Sequence, residues 1–245
     1  MFYDEISSYY DEMIPFEKRV QNLQTQLSPL VKKYGIKSAL DIGSATGATC
    51  IALAQLGVES AGLEQAGQMV KIARQHSRTY DRKILFRQGD ALDRSVFNRK
   101  FEAIFILANT ISHILDKKSL YKLLANFKHW LIPGGLVAIQ LLNYRRILSK
   151  RERIVKIYNN EQRTFIRFYD FGEKLINFNL LTVENQPGTC DYKLSSVPLR
   201  GWQPSEIRAA LEGKGFTKIK QYANLKSDRF IPTKSNDIVY IAQRS

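Results

Sequence analysis

The 245 residues carry 37 Lys or Arg against 23 Asp or Glu, a formal charge of +14, and 44% of them are hydrophobic. That apolar share is enough for a core, and no stretch approaches the ~20 consecutive apolar residues that span a bilayer. The start, Met1-Phe2-Tyr3-Asp4-Glu5, lacks the basic region and apolar run of a secretory signal, and Cys50 and Cys190 lack metal-ligand spacing; the expectation is a reducing, cytoplasmic setting and no bound metal.

Residues 4–34 read as helical, with Val20, Leu23, Leu27, Leu30 and Val31 at helical spacing and Pro15 dividing an aromatic leader from a longer helix. The leader holds Tyr3, Tyr9 and Tyr10, which either pack or fold over a cleft and place a hydroxyl in it. From Ser38 strand and helix alternate. Residues 39–42 form a strand, 46–56 a helix with Ile51, Ala52 and Leu56 inward, stopped by Gly57. Residues 60–63 form a second strand ending at Glu64, and 67–75 a helix. Strands follow at 84–86 and 101–107, then a long amphipathic helix at 115–131, closed by Pro133-Gly134-Gly135, then a fifth strand at 136–142. This alternation predicts an α/β, doubly wound, mainly parallel sheet whose ligand lies beyond the carboxyl ends of its strands.

The alternation then lapses. Residues 145–156 hold six Lys or Arg and one Glu. Strand-like runs follow at 164–169, 175–181 and 190–197, with Asp170-Phe171-Gly172-Glu173 and Gln186-Pro187-Gly188 as turns. The expectation is an antiparallel β lid inserted before a helix at 204–214 and two closing strands at 216–222 and 237–242, which bring the main sheet to seven strands. The expected divisions are a helical cap at 1–36, a cofactor-binding core at 37–142, a lid at 143–201 and a completion of the core at 202–245.

The strand ends carry the chemistry. The first ends in Asp41 and a turn bounded by Gly43 and Gly47, the second in Glu64, the third in Gly89-Asp90-Ala91, the fourth in Leu107-Ala108-Asn109. Neither Gly-x-Gly-x-x-Gly nor Gly-Lys-Ser/Thr is present. A carboxylate at position 41 repels phosphate and complements an ammonium. Glu64 can accept from two ribose hydroxyls and Asp90 from an exocyclic amine. A nucleoside joined to an amino acid satisfies all three.

Asp41-Ile42-Gly43-Ser44-Ala45-Thr46-Gly47 resembles the glycine-rich first motif of class I S-adenosylmethionine-dependent methyltransferases, with Ala45 in place of a commoner glycine. Gly62-Leu63-Glu64-Gln65, with Met69 following, resembles their ribose motif, and Gln88-Gly89-Asp90-Ala91 their adenine-side motif. Leu107-Ala108-Asn109-Thr110-Ile111-Ser112-His113 is similar to a stretch of glycine and related small-molecule N-methyltransferases, aminosugar enzymes among them, where Ala108 stands for a glycine. Gln140-Leu141-Leu142-Asn143-Tyr144-Arg145 resembles the point at which their lid begins. The resemblance implies a Rossmann-like methyltransferase fold and S-adenosyl-L-methionine as methyl donor, with S-adenosyl-L-homocysteine as product. It places Asp41, Gly43, Ser44, Ala45, Gly47, Glu64, Gln65, Met69, Gly89, Asp90, Ala91, Leu107 and Asn109 at the cofactor. The expected reaction is transfer to a small-molecule nucleophile, an amine before others.

If the acceptor is an amine it must be neutral to attack. His113, with an unperturbed pKa near ~6.5, is the candidate base, or else it caps the loop or orients substrate. Tyr10 is the second candidate for the methyl region. His76 and His129 are expected at the surface or in packing, and Arg19 either meets the donor's carboxylate or lies on an exposed helix face. The basic run at 145–156 is a solvated segment or recognises an anionic partner such as RNA. The absence of a Pro-Pro-aromatic segment after Asn109, and of a Pro-Cys pair, weighs against nucleobase methylation. The alternatives are an RNA methyltransferase using that run and a non-catalytic S-adenosylmethionine-binding protein.

Overall fold

The computed structural model describes residues 1–185 and 191–245. The helices are α1 (Phe2–Ile6), α2 (Tyr10–Met13), α3 (Phe16–Tyr34), α4 (Ala48–Gln55), α5 (Gly67–Thr79), α6 (Lys117–Trp130), α7 (Tyr144–Lys150) and α8 (Pro204–Gly213). The strands are β1 (Ser38–Ile42), β2 (Glu59–Glu64), β3 (Leu85–Gln88), β4 (Phe101–Ile106), β5 (Leu131–Leu142), β6 (Ile154–Asn159), β7 (Arg163–Phe171), β8 (Ile176–Glu184), β9 (Tyr192–Leu199), β10 (Phe216–Tyr222) and β11 (Asp237–Arg244). Among the described residues no helix is long and apolar enough to cross a membrane.

The main sheet has the order β10-β11-β5-β4-β1-β2-β3, parallel except for β11, which runs antiparallel to both its neighbours. Strands β1 and β4 are neighbours although β2 and β3 intervene in sequence, so strand order reverses between them. Helices leave β1 and β4 to opposite faces at that point and open a crevice. Apolar residues on both faces of the central strands make this a buried parallel sheet. On one face Leu40, Ile104 and Val137 pack under Phe127 and Trp130 of α6 and Trp202. On the other, Ala39, Phe105 and Val239 pack under Leu27 and Leu30 of α3 and Leu53 of α4.

Helix α6 ends at Trp130, and β5 begins at once at Leu131, so Pro133-Gly134-Gly135 lies within the strand rather than between helix and strand. The pairing of β4 with β5 shifts register there, which absorbs the turn residues as a bulge.

The second sheet, β6-β7-β8-β9, is wholly antiparallel and inserted between α7 and α8. Strand β6 was not expected. Its flanking Arg151, Arg153 and Lys156 make the stretch look like a charged helix, yet Ile154-Val155-Lys156-Ile157-Tyr158 is β-branched and aromatic, and it pairs with β7. Asp170 and Phe171 belong to β7 rather than to the turn. The expected turn at Gln186-Pro187-Gly188 and the start of the last lid strand at Cys190 lie outside the described residues.

The leader is clamped between the two sheets. Phe2, Ile6, Tyr9 and Met13 pack against Ala66 and Met69 of the core and against Phe165 and Leu180 of the second sheet. Burying four such side chains offers ~1.5–3 kcal/mol each before the entropy of ordering is subtracted. Pro15 caps α3 and turns the chain away from the leader.

Candidate active site

A cavity of about 470 Å³ lies at the carboxyl ends of β1 to β4, roofed by the leader. Its floor is the turn after β1. Gly43 has φ +71°, and a Cβ there would collide with the Thr110 side chain, so glycine is required on both counts. Asp41, Gly43, Ser44 and Ala45 all line the cavity. Gly47, at φ +91°, does not; a Cβ there would meet Phe86 and Ala73, and the residue lets α4 start close against β3 and α5.

Asp41 is 2% exposed. The Thr49 hydroxyl donates to its carboxylate, and the Cys50 thiol lies 4.0 Å away. Among the described residues no Lys, Arg or His comes within ion-pair distance of it. Burial, reinforced by the Glu64 charge, pushes its pKa up to about 8 against the opposing Thr49 hydrogen bond and Arg19. A carboxyl held without a cation in an apolar wall is a site for a cationic ligand group.

Glu64 ends β2 with both oxygens engaged: Oε2 accepts from the Ala45 amide and Oε1 from the Ala66 amide, each at 2.9 Å. These bonds fix the carboxylate plane, and each oxygen keeps a lone pair for a hydroxyl. Burial raises its pKa and the backbone donors oppose the shift. Gln65, Gly89, Asp90 and Ala91 continue the wall. Asp90 Oδ1 accepts from the Leu92 amide at 2.8 Å, which stiffens the loop and leaves Oδ2 for a ligand amine. Met69 is buried in the leader-facing cluster and does not reach the cavity.

Leu107, Ala108 and Thr110 form the fourth side. Asn109 stands behind them. Its Nδ2 donates to the Tyr144 hydroxyl at 2.8 Å, while Oδ1 accepts from Ser112 Oγ at 2.9 Å and from the Leu142 amide at 3.1 Å. It therefore ties the β4 loop to the end of β5 and sets the loop from which His113 projects. Ala45 and Ala108, the two positions where the resemblance has glycine, hold φ of 46° and 50°. Left-handed backbone costs an L-residue ~1–2 kcal/mol, partly offset in alanine by its lower unfolded-state entropy. Ala45→Gly and Ala108→Gly should each raise the melting temperature by about 2 °C, a net gain under ~1 kcal/mol. Scanning calorimetry checks this; a lower melting point in both would mean that the turns carry no strain.

His113 and Tyr10 line the cavity, and so does Tyr3. The Tyr3 hydroxyl is 2.8 Å from His113 Nε2, with the rings edge to face at 5.4 Å between centroids. Burial lowers the His113 pKa to about 4, so the expected titration near neutrality is corrected: this imidazole is neutral at pH 7. Burial also raises the pKa of Tyr3 and of Tyr10, so both phenols keep their protons. A protonated phenol facing a neutral imidazole fits O–H donating to Nε2, with the ring proton on Nδ1. The sequence reading left Tyr3 among packing rings. Its signal was there: Phe2, Ile6, Tyr9 and Met13 share the buried side of the leader, and Tyr3 and Tyr10, seven apart, share another. Tyr9 stays in the apolar cluster beside Phe165.

Arg19 does not lie on an exposed helix face. It lines the cavity, and its Nη2 donates to Thr46 Oγ1 at 2.6 Å and to Asp11 Oδ1 at 3.1 Å. Asp11 also accepts from the Thr46 hydroxyl and meets His76 Nε2 at 2.8 Å, and the His76 ring stacks on Phe16 at 3.6 Å. This network pins α2 to the first turn. The buried Arg19 Nε has no partner among the described residues and is a donor held in reserve beside the cavity. The basic run at 145–156 contributes nothing to the cavity wall. Most of it is exposed, with Arg146 bonded to Asn236 and Arg153 to Asp170.

Residues 39–135 match a family model described as a methyltransferase domain. With the strand order and the strand-end site, this match makes the chain a class I S-adenosylmethionine-dependent methyltransferase by family and fold. Its relatives include a glycine/sarcosine N-methyltransferase of Parasynechococcus marenigrum (strain WH8102), 24% identical over 150 residues, 60% of this chain and 53% of that one. The chain thus matches about half the length of that relative. A second glycine/sarcosine N-methyltransferase, from Aphanothece halophytica, is 23% identical over 222 residues, 89% of this chain and 80% of that one. A crystal structure of an S-adenosylmethionine-dependent methyltransferase from Clostridium acetobutylicum ATCC 824 superposes with a TM-score of 0.83 at 14% identity, covering 99% of each chain, and shares the fold.

Proposed function

We propose that this chain transfers a methyl group from S-adenosylmethionine to the neutral amine of a small molecule. The observation that carries the proposal is Asp41: a buried, uncompensated carboxyl at the end of β1, in the same cavity as Glu64. A phosphate-bearing nucleotide would meet two acidic groups there, whereas a cofactor with an ammonium and a ribose finds an acceptor for each. When bound, S-adenosylmethionine supplies a methyl on a sulfonium, activated for in-line attack. Asp41 would hold the ammonium, the free donor of Arg19 the carboxylate, Glu64 the ribose and Asp90 the adenine amine.

The acceptor side follows from Tyr3, Tyr10 and His113, which close the cavity away from Glu64. Desolvation there disfavours an ammonium and so selects the neutral, nucleophilic amine. With its O–H donated to His113, Tyr3 turns its oxygen lone pairs to the amine N–H. Positive charge develops on that nitrogen as the methyl arrives, so the N–H to Tyr3 bond strengthens as the reaction proceeds. Relatives named for glycine and sarcosine support an amine as acceptor. A cavity roofed by the leader supports a small one.

Calorimetry with S-adenosylmethionine, followed by methyl uptake from labelled donor onto panels of amines, carboxylic acids and RNA, tests this. Cofactor binding and label on amines are expected. Absence of binding at millimolar cofactor would remove the donor assignment; label on acids or RNA alone would remove the amine.

A further inference from the structure

We infer that the outer face of the four-stranded sheet is the seat of a second copy of this chain. Residues alternate across this sheet. Phe165, Leu180 and Val197 face the leader and pack on it. Their neighbours in sequence face outward. The register aligns Ile157, Ile166, Leu181 and Leu194 as one apolar row across all four strands. The ends of that row are exposed, Ile157 by 56% and Leu194 by 55%, and Ile154 and Tyr192 beside it by 62% and 72%.

An outward sheet face ordinarily alternates to polar and charged side chains. This one does not. In a chain that is 24% charged, Asp170 is the one charge among the outward side chains of β7, β8 and β9, and it is neutralised by Arg153 and bonded by Asn179. The sheet is also where the chain's positive charge vanishes: residues 154–199 hold five Lys or Arg and five Asp or Glu, so the whole +14 resides elsewhere. Two like molecules meet with least repulsion here. A membrane-docking face would instead carry a basic rim, since anionic lipid attracts Lys and Arg.

Size agrees. Strands of six to nine residues, four abreast, project roughly 500 Å² from strand rise and spacing. Side-chain relief brings that towards the ~800 Å² per partner of a stable dimer. A monomer rarely leaves an apolar patch of that extent in water. A flat, uncharged row of Ile-Ile-Leu-Leu is self-complementary, as a two-fold contact demands. The dimer would hold the lid, and through Phe165 and Leu180 the leader, from the side opposite the cavity.

Sedimentation velocity over a concentration series tests this. The wild-type chain should sediment as a dimer at tens of micromolar. The variant I157K/L194K should sediment as a monomer, with at least a tenfold weaker dissociation constant; both sites are exposed, so its circular dichroism and melting point should stay close to wild type. Mixing it with I157E/L194E should restore a dimer, because opposite charges then face one another. A wild-type monomer at these concentrations, or a dimer indifferent to I157K/L194K, would overturn the inference. So would a monomer that pellets with phosphatidylserine vesicles through this face.

Discussion

Asp41→Asn should lower affinity for S-adenosylmethionine by 100-fold or more while making the cofactor-free protein harder to melt at pH 8. The two effects share one cause. The wild-type carboxyl is buried without a cation, and its pKa is pushed up to about 8 from an ordinary 3.8. The folded state therefore holds this proton more tightly than the unfolded state does. The resulting stability is complete below pH ~4 and is lost as pH rises through about 8. Asparagine keeps the size and can still accept from Thr49, but has no proton to lose. Its advantage in melting temperature should be nil near pH 4 and on the order of 5 °C at pH 8. For binding the sign reverses, because the ionised carboxylate is what an ammonium requires. Wild-type affinity should climb by up to tenfold per pH unit towards pH 8, then fall as the ligand's own amine deprotonates. The variant should lack the climbing limb. Differential scanning calorimetry and titration calorimetry across pH 5–9 measure both. A variant that melts lower and binds as well as wild type would show that Asp41 is a structural acid and that the ligand's ammonium lies elsewhere.

The sequence made the strand ends legible because they are local. A buried strand stops where a glycine turn follows, so Asp41, Glu64 and Asp90 could be placed at the ends of β1, β2 and β3 from a few residues each. What it hid was set by contacts between distant segments. Met69 follows the second strand at a suggestive distance, but its helical phase aims it at Phe2 and Ile6. Asn109 sits among site residues in sequence, yet the left-handed backbone at φ 70° turns its side chain away from the cavity to Tyr144. Arg19 reads as solvated because three helical neighbours, Glu17, Lys18 and Gln21, are; only the docking of α2, with Asp11, draws it inward. The His113 pKa depends on burial under the leader, 110 residues away in sequence at Tyr3. Strand β6 was missed for another reason: an edge strand is bordered by charge, and charge borders exposed helices too.

The Tyr3–His113 pair should behave as a unit whose loss costs turnover rather than cofactor binding. His113→Phe should lower kcat by about 10²-fold, Tyr3→Phe by a similar factor, and the double variant by no more than either alone, since each works only through the other. Titration calorimetry should show affinity for S-adenosylmethionine unchanged within about threefold, because the pair lies away from Asp41 and Glu64. His113→Gln separates the two roles the imidazole could play. A glutamine carbonyl accepts the Tyr3 hydrogen bond but takes up no proton, so activity should return in part if His113 serves to polarise Tyr3. If His113 were the proton sink, glutamine would be as poor as phenylalanine. The pH profile gives an independent reading. With its pKa lowered to about 4, His113 is neutral across pH 5–8 and should leave no break near 6.5 in kcat. A break near 6.5 that disappears in His113→Gln would mean that His113 is solvated in the working enzyme, and with it that the leader opens during turnover. The lowered pKa thus argues for an acceptor delivered neutral by desolvation. Tyr3, aimed by His113, then needs only to hold the amine's N–H while its lone pair meets the methyl.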